Sequence, residues 1–497
     1  MELLHHLSQG FAVALEPMNL LYGFIGVFIG TLVGVLPGLG PPGALGILLP
    51  ATYYLPPVSS LIMLSGIYYG AMYGGSTTSV LVNIPGEAAS VVTCIDGYQM
   101  ARQGRAGPAL GIAAFGSFIA GTLGICGLIA LAPPLASFAL RFGPPEYFSL
   151  MVSGLVVLSY LTYGSVIKGL MMAAVGLILG AVGNDTITGV ARYTFNITVL
   201  SDGIGFIPVV MGLFGVAEVL TSLEETTRDI FKTSLRGILP GKKDWAESGG
   251  AIARGSILGF LLGILPGGGA VLASFVSYAV EKRVARNPES FGKGAIAGVA
   301  GPESANNAAS SGAFIPLLSL GIPSNAATAI LLGALLIYGI QPGPLLMRNE
   351  PRLFWGVIAS MYIGNVMLLI LNLPLIGLWV KLLKVPYRFL FPLILLFCLV
   401  GVYSVNSSAI EVIIMVIFGL VGYLLRKYRF EPAPLVLALI LGPMLEVNFR
   451  QSLILSHGDL TIFLRHPISA VLLMISAVLL LYPIVQDLKK KRRTSDA

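Results

Sequence analysis

The chain has 497 residues, 56% hydrophobic and 11% charged, with a net charge of +7 and a mean hydropathy of +0.87. Ordinary soluble domains carry about 25% charged residues, so a soluble enzyme or a nucleic-acid binder is excluded. Lys and Arg gather in "RDIFKTSLRGILPGKKDW" (228–245) and "KKKRR" (489–493); such clusters mark cytoplasmic segments by the positive-inside rule, so the charge reports topology and not an anionic partner.

Apolar runs of about 20 residues, the length that crosses a hydrocarbon core of ~30 Å, recur from end to end. They predict an all-α polytopic membrane protein with about 10–12 membrane elements. The first segment, residues 1–17, has Glu2, His5 and His6 where a secretory signal would be basic, and no small-residue cleavage site, so it is expected to be retained. Next come two interrupted motifs, "GVFIGTLVGVLPGLG" (26–40) and "YGGSTTSVLVNIPGEAAS" (73–90), then "GPAL" (107–110). Spanning helices are expected at 108–132, 146–163, 165–183 and 204–223, with a polar loop around "GNDTITGVARYTFN". Asp96, Asp185 and Asp202 are expected in loops. Lys168, inside an apolar run, is read as snorkelling to the interface, with substrate contact as the alternative.

After a basic loop at 226–250 the pattern repeats. "GSILGFLLGILPGGG" (255–269) matches the first motif at an offset of 229, and "SSGAFIPLLSLGIPSNAAT" (310–328) matches the second through Ile84-Pro85 and Ile322-Pro323. "GPLL" (343–346) echoes "GPAL". Two homologous halves follow, 18–225 and 251–486, with a basic tail at 487–497. No Lys or Arg precedes the first Pro-Gly motif, whereas Arg228, Lys232, Arg236, Lys242, Lys243 and Arg254 precede the second, so the halves are expected to be inverted. Between Arg254 and Lys282 lie 27 residues with Pro266-Gly267-Gly268-Gly269 near the middle. Arms of about eleven residues reach roughly 16 Å, which favours a re-entrant hairpin over one broken spanning helix. Further spans are expected at 353–371, 389–405, 409–425 and 467–485.

In hydrocarbon every backbone polar group needs a partner, so broken helices survive only where protein or a water-filled cavity surrounds them. Pro37, Gly38, Gly40, Pro266, Gly267, Gly268 and Gly269 are assigned to cavity shape. The substrate-binding candidates are Ser76, Thr77, Thr78, Ser79, Asn83, Pro85 and Gly86 in the first half. In the second they are Asn306, Asn307, Ser310, Ser311, Pro323, Ser324, Asn325 and Thr328. Small hydroxyls and amides bind carboxylate oxygens as donors and a cation as acceptors without a fixed charge; their alternative role is helix packing. Glu87 and Glu303 are read either as cation-coupling carboxylates or as helix caps. Cys94, Cys126 and Cys398 have no metal-ligand spacing and are read as small buried hydrophobes. No HExxH, P-loop or GxSxG is present, and His5, His6, His457 and His466 lie outside the repeated motifs, so no enzyme is expected. The rival classes are a channel, a membrane enzyme on a lipid-linked substrate, and a scaffold.

"GVLPGLGPPGALGILLP", "YGGSTTSVLVNIPGEAAS", "GPESANNAASSGAFIPLLSLGIP" and "LLGALLIYGIQPGPLL" closely resemble the large membrane subunit of the tripartite tricarboxylate transporters, the TctA family, over residues 20 to 465. The resemblance implies a multi-pass permease of the bacterial cytoplasmic membrane, and the basic tail gives it a cytoplasmic C-terminus. It implies two protein partners, a small four-helix membrane subunit (TctB-like) and a periplasmic solute-binding protein (TctC-like) that delivers citrate-like tricarboxylates or other carboxylates. Uptake would be driven by sodium or protons, with no other cofactor.

Overall fold

The computed structural model describes residues 2–36, 40–161, 166–185, 187–223, 237–265, 267, 269–382 and 387–495. Pro37, Gly38, Pro266 and Gly268 therefore lie outside the described residues, as does much of the basic loop. The first repeat opens with helix α1 (Pro17–Val35), reverses, returns as α2 (Gly40–Thr52) and sets off again as α3 (Pro57–Val82). Leu36 is extended (φ −87°, ψ 111°), and Gly40 takes φ +57°, a left-handed conformation that glycine adopts without penalty. The short α4 (Val91–Arg102) and the long α5 (Ala106–Ala139) complete it.

The glycine stripe explains the packing. Between apolar helices in lipid there is little hydrophobic drive, so close backbone approach through small residues holds them together. Gly26, Gly30 and Gly34 of α1 lie on the carbonyls of Met63, Ile67 and Ala71 of α3. The register rises together on both helices, so α1 and α3 run parallel, and their starts are tied by the Ser59 hydroxyl donating to Asn19 Oδ1 at 2.5 Å. Helix α2 is the return stroke between them.

The second repeat has the same plan: α6 (Lys242–Ile264), α7 (Gly269–Val284), α8 (Ala297–Gly312), α9 (Phe314–Leu320), α10 (Ala326–Ile337) and α11 (Pro351–Asn372). Gly255, Gly259 and Gly263 of α6 lie on the carbonyls of Gly301, Ala305 and Ala309 of α8. The first helices correspond at an offset of 229 residues, and their partners at 238, the same offset that relates Ile84-Pro85 to Ile322-Pro323. Nine extra residues enter between them without disturbing the register. Gly269 starts α7 at φ +47°, as Gly40 starts α2.

The open end of the second hairpin is closed by Arg254, whose Nε and Nη2 donate to the two oxygens of Glu281 at 2.8 and 2.6 Å. The segment thus folds back on itself and is not one interrupted straight helix. Its arms, at 23 and 16 residues, exceed the expected eleven because α6 begins at Lys242, within the basic region, and α7 runs on through Lys282 and Arg283 to Val284. Glu281 is 2% exposed and Arg254 46%. A double-mutant cycle of Arg254→Ala and Glu281→Ala, read by thermal unfolding in detergent, is expected to give a coupling of about 1–2 kcal/mol, reduced by solvent at the arginine.

Tyr68 of α3 stands 6.0 Å, ring to ring, from Phe314, while Ser76, two turns later, meets Glu303. The equivalent helices α3 and α8–α9 therefore run antiparallel.

The chain divides into two compact units interleaved in sequence: residues 1–137 with 207–423, which hold both hairpins, and 138–206 with 424–497. In the second unit, Gly176 of helix Val166–Gly180 packs on the Leu435 carbonyl of helix Ala433–Leu455. The latter helix is not among the expected spans, because Pro434, Pro443, Glu446 and Arg450 interrupt its apolar run. Between Gly180 and Phe206 a two-residue antiparallel pair forms, Gly183–Asn184 with Ala191–Arg192. Asp185 beside it accepts from the Ile187 and Thr188 amides and from Arg450, which hold its carboxyl well below the usual carboxylate range. Asp185 and Asp202 lie in this connection as expected. Lys168 Nζ donates to the Tyr428 carbonyl at 2.7 Å and lies 4.6 Å from the Phe430 ring centroid.

Among the described residues, five helices are long and apolar enough to cross a membrane: Pro17–Val35, Ala106–Ala139, Pro351–Asn372, Ala409–Lys427 and Ala433–Leu455. Five shorter apolar helices join them. The protein is an all-α polytopic membrane protein.

Candidate substrate and cation site

Helix α8, "AGVAGPESANNAASSG", is buried from Gly298 to Gly312, which its small side chains permit. Pro302 lies inside it, and Glu303 follows in mid-helix, so Glu303 is not a cap. Its carboxylate is fully buried and accepts from Ser76 Oγ at 2.6 Å, from Thr93 Oγ1, and from Asn306 Nδ2 at 3.4 Å. Asn307 Nδ2 donates to the Glu303 carbonyl at 3.0 Å, to Ser117 Oγ at 2.8 Å and to Asn306 Oδ1 at 2.5 Å. Four helices from both repeats, α3, α4, α5 and α8, meet in this network. The carboxylate is held by neutral donors, which satisfy it without supplying a counter-charge.

The breaks after α3 and α9 have one construction. Each helix closes on a left-handed residue, Asn83 (φ 58°) or Gly321 (φ 72°), and the chain then caps the next helix. Glu87 Oε2 accepts from the Ala89 amide at 2.6 Å, and the Glu87 amide donates to Ser90 Oγ at 3.3 Å. Asn325 Oδ1 accepts from the Thr328 amide, and the Asn325 amide donates to Thr328 Oγ1, both at 3.0 Å. Both are reciprocal capping boxes, so Glu87 is a cap. In each repeat the break touches the hairpin tip. The Gly267 amide donates to the Ser324 carbonyl at 2.7 Å, and Gly86 packs against the Gly34 carbonyl and Gly75, where a Cβ would overlap both.

The expected site residues divide by what they bond. Ser76, Asn306, Asn307 and Glu303 form the network above. Thr78 and Ser79 donate to the Gly75 carbonyl, Ser310 and Ser311 to the Asn307 carbonyl, and Ser324 to the Ala313 carbonyl. Thr77 is buried on α3, and Pro323 is buried while Pro85 is half-buried. Asn83 is exposed and stands outside the network. Asn325 Nδ2 donates to Tyr68 OH at 2.9 Å, linking the second repeat's cap to the first repeat's α3.

Sequence reasoning missed Thr93, Ser117, Tyr68, Tyr73 and Asn365. Tyr73 OH donates to Asn365 Oδ1, and Asn365 Nδ2 donates to the Phe118 carbonyl at 2.9 Å. Asn365, in the middle of the apolar run of α11, was a usable signal, since intramembrane polar groups need partners. Asp96 is a correction. It lies in α4 and not in a loop, fully buried, and accepts from the amides of Gly292, Gly294 and Ala295 at 2.8 to 2.9 Å and from Tyr278 OH at 2.8 Å. It pins the glycine-rich loop before α8 to the first repeat. Cys126 is a second correction: it is exposed, with Tyr362 OH 3.1 Å away.

Residues 20–437 match the model of the tripartite tricarboxylate transporter TctA family. The chain belongs to that family. The span matched to TctA takes in both hairpins, both capped breaks and the Glu303 network. Two relatives come from Agrobacterium vitis. An uncharacterized 52.8 kDa protein in the TAR-I ttuC' 3' region is 52% identical over 493 residues, covering 99% of this chain and 98% of the relative. An uncharacterized protein in the TAR-II ttuC' 3' region is 53% identical over 234 residues, covering 47% of this chain and 97% of that relative. No solved structure matches this TctA-family chain.

Proposed function

We propose that this chain is the permease subunit of a cation-coupled secondary transporter that imports tricarboxylates or related carboxylates across the bacterial cytoplasmic membrane. In this reading a periplasmic binding protein delivers the substrate, a small four-helix membrane subunit completes the complex, and the C-terminus is cytoplasmic. Membership of a transporter family supports the general role. The observation that carries the reading further is the buried network of Ser76, Thr93, Glu303, Asn306 and Asn307, placed where equivalent helices of two repeats meet antiparallel. That course supports inverted repeats, the arrangement in which secondary transporters place their sites at the repeat interface. The neighbouring breaks end one helix and start the next, the setting in which helix termini favour ions, and Glu87 and Glu303 are the candidate coupling groups.

Asn307 is the test, because its amide bonds three partners on two helices. Asn307→Ala and Asn306→Ala, inserted at normal levels in the complete transporter, are expected to lower uptake at least about tenfold, the effect of ~1.4 kcal/mol. Wild-type rates with unchanged cation dependence would remove these residues from the site.

A further inference from the structure

The repeats differ chemically at the residue that caps the break, Glu87 in the first and Asn325 in the second. Their backbones are alike, at φ −144°, ψ 166° and φ −155°, ψ 176°. Asn325 uses its side chain fully, the oxygen accepting from Thr328 and the nitrogen donating across the repeat boundary to Tyr68. Glu87 reproduces the first half of that pattern with Oε2 and Ala89. Its other oxygen, Oε1, is buried and has no hydrogen-bond partner, and the residue is 5% exposed.

A bare anionic oxygen out of water is costly, whereas a protonated carboxyl has one acceptor and one donor, the same pair that an amide has. Protonation therefore removes the charge and gives Glu87 an acceptor and a donor side by side, as Asn325 has. Glu303 offers no such vacancy, because Ser76, Thr93 and Asn306 already occupy its two oxygens. A metal cation needs several converging oxygens, and among the described residues no hydrogen-bonding group reaches Oε1. The titratable groups within electrostatic reach of Glu87 are Glu303 on α8, Tyr68 on α3 and Cys94 on α4.

We propose that Glu87 carries the exchangeable proton of the coupling cycle, while Glu303 is the fixed carboxylate that positions the surrounding donors. This rests on the transporter reading above. Oε1 gains a proton from water on one side of the membrane, forming an O–H bond, and the same bond breaks to return the proton to water on the other. No other reactant is consumed.

The test is an infrared pH titration of the purified full chain in lipid nanodiscs, following the C=O stretch of protonated carboxyl groups above about pH 6, beyond the ordinary carboxylate range. The wild type is expected to show a titrating band that is lost in Glu87→Gln and kept in Glu303→Gln. Absence of the band from the wild type, or its survival in Glu87→Gln, overturns the proposal. Loss of the band at constant pH on adding sodium chloride, but not choline chloride, overturns it in favour of a metal cation. Should Glu87→Gln fail to fold, Glu87→Asp is expected to shift the band, and an unshifted band overturns the assignment. The readout needs no substrate, so a chain that shows the band and moves no carboxylate counts against the transporter reading alone.

Discussion

Gly259→Ala is expected to lower the stability of the purified protein by about 3 kcal/mol, at the upper end of the cost of overpacking, and Gly30→Ala to do the same in the other repeat. At Gly259 a Cβ would overlap the backbone of Ala305, and at Gly30 the backbone of Gly66 and Ile67. Backbone cannot swing aside as a side chain can, so the helices must separate and lose contacts along the whole stripe. Gly249 is the control on the same helix α6, because a Cβ there meets nothing within 4 Å. Gly249→Ala is expected to be neutral or to stabilise by up to about 1 kcal/mol through helix propensity. Thermal unfolding in detergent separates the cases. Equal melting temperatures for Gly259→Ala and Gly249→Ala would show that the stripe does not hold the hairpin against α8.

The same glycines explain how much of the architecture could be read beforehand. Residues four apart on an apolar helix form a contact stripe, and their recurrence at an offset of 229 brought the repeat and the second hairpin into view, while Ile84-Pro85 and Ile322-Pro323 brought in the matching breaks. The site was legible only as a region. "STTSVLVN" and "PESANNAASS" are rich in hydroxyls and amides, but composition cannot separate Ser76, which reaches Glu303, from Thr78 and Ser79, whose hydroxyls return to the Gly75 carbonyl. That difference depends on which helix stands opposite. Thr93 and Ser117 were invisible for the same reason, each being one small polar residue in an otherwise ordinary segment. Asp96 misled because its four donors come from Gly292, Gly294, Ala295 and Tyr278, nearly 200 residues downstream. Helix Ala433–Leu455 was hidden by prolines that the fold accommodates.

Glu303→Ala should be among the most damaging substitutions in the network, and its comparison with Glu303→Gln separates shape from charge. Alanine leaves Ser76, Thr93 and the Asn306 amide without their acceptor in a fully buried site. Each unsatisfied group costs about 1–3 kcal/mol, and because the three share one acceptor the total is expected near 3–5 kcal/mol and below the sum of single effects. Glutamine keeps an oxygen for Ser76 and Asn306 and turns its NH2 toward Thr93, whose hydroxyl can reverse and accept. Its cost is therefore expected to stay within about 1 kcal/mol. Ser76 and Thr93 belong to the first repeat and Glu303 to the second, so alanine also removes a direct polar tie between the halves. The thermal shift should fall mostly on Glu303→Ala. Equal losses for the two variants would mean that the negative charge, and not the acceptor geometry, organises the donors around it.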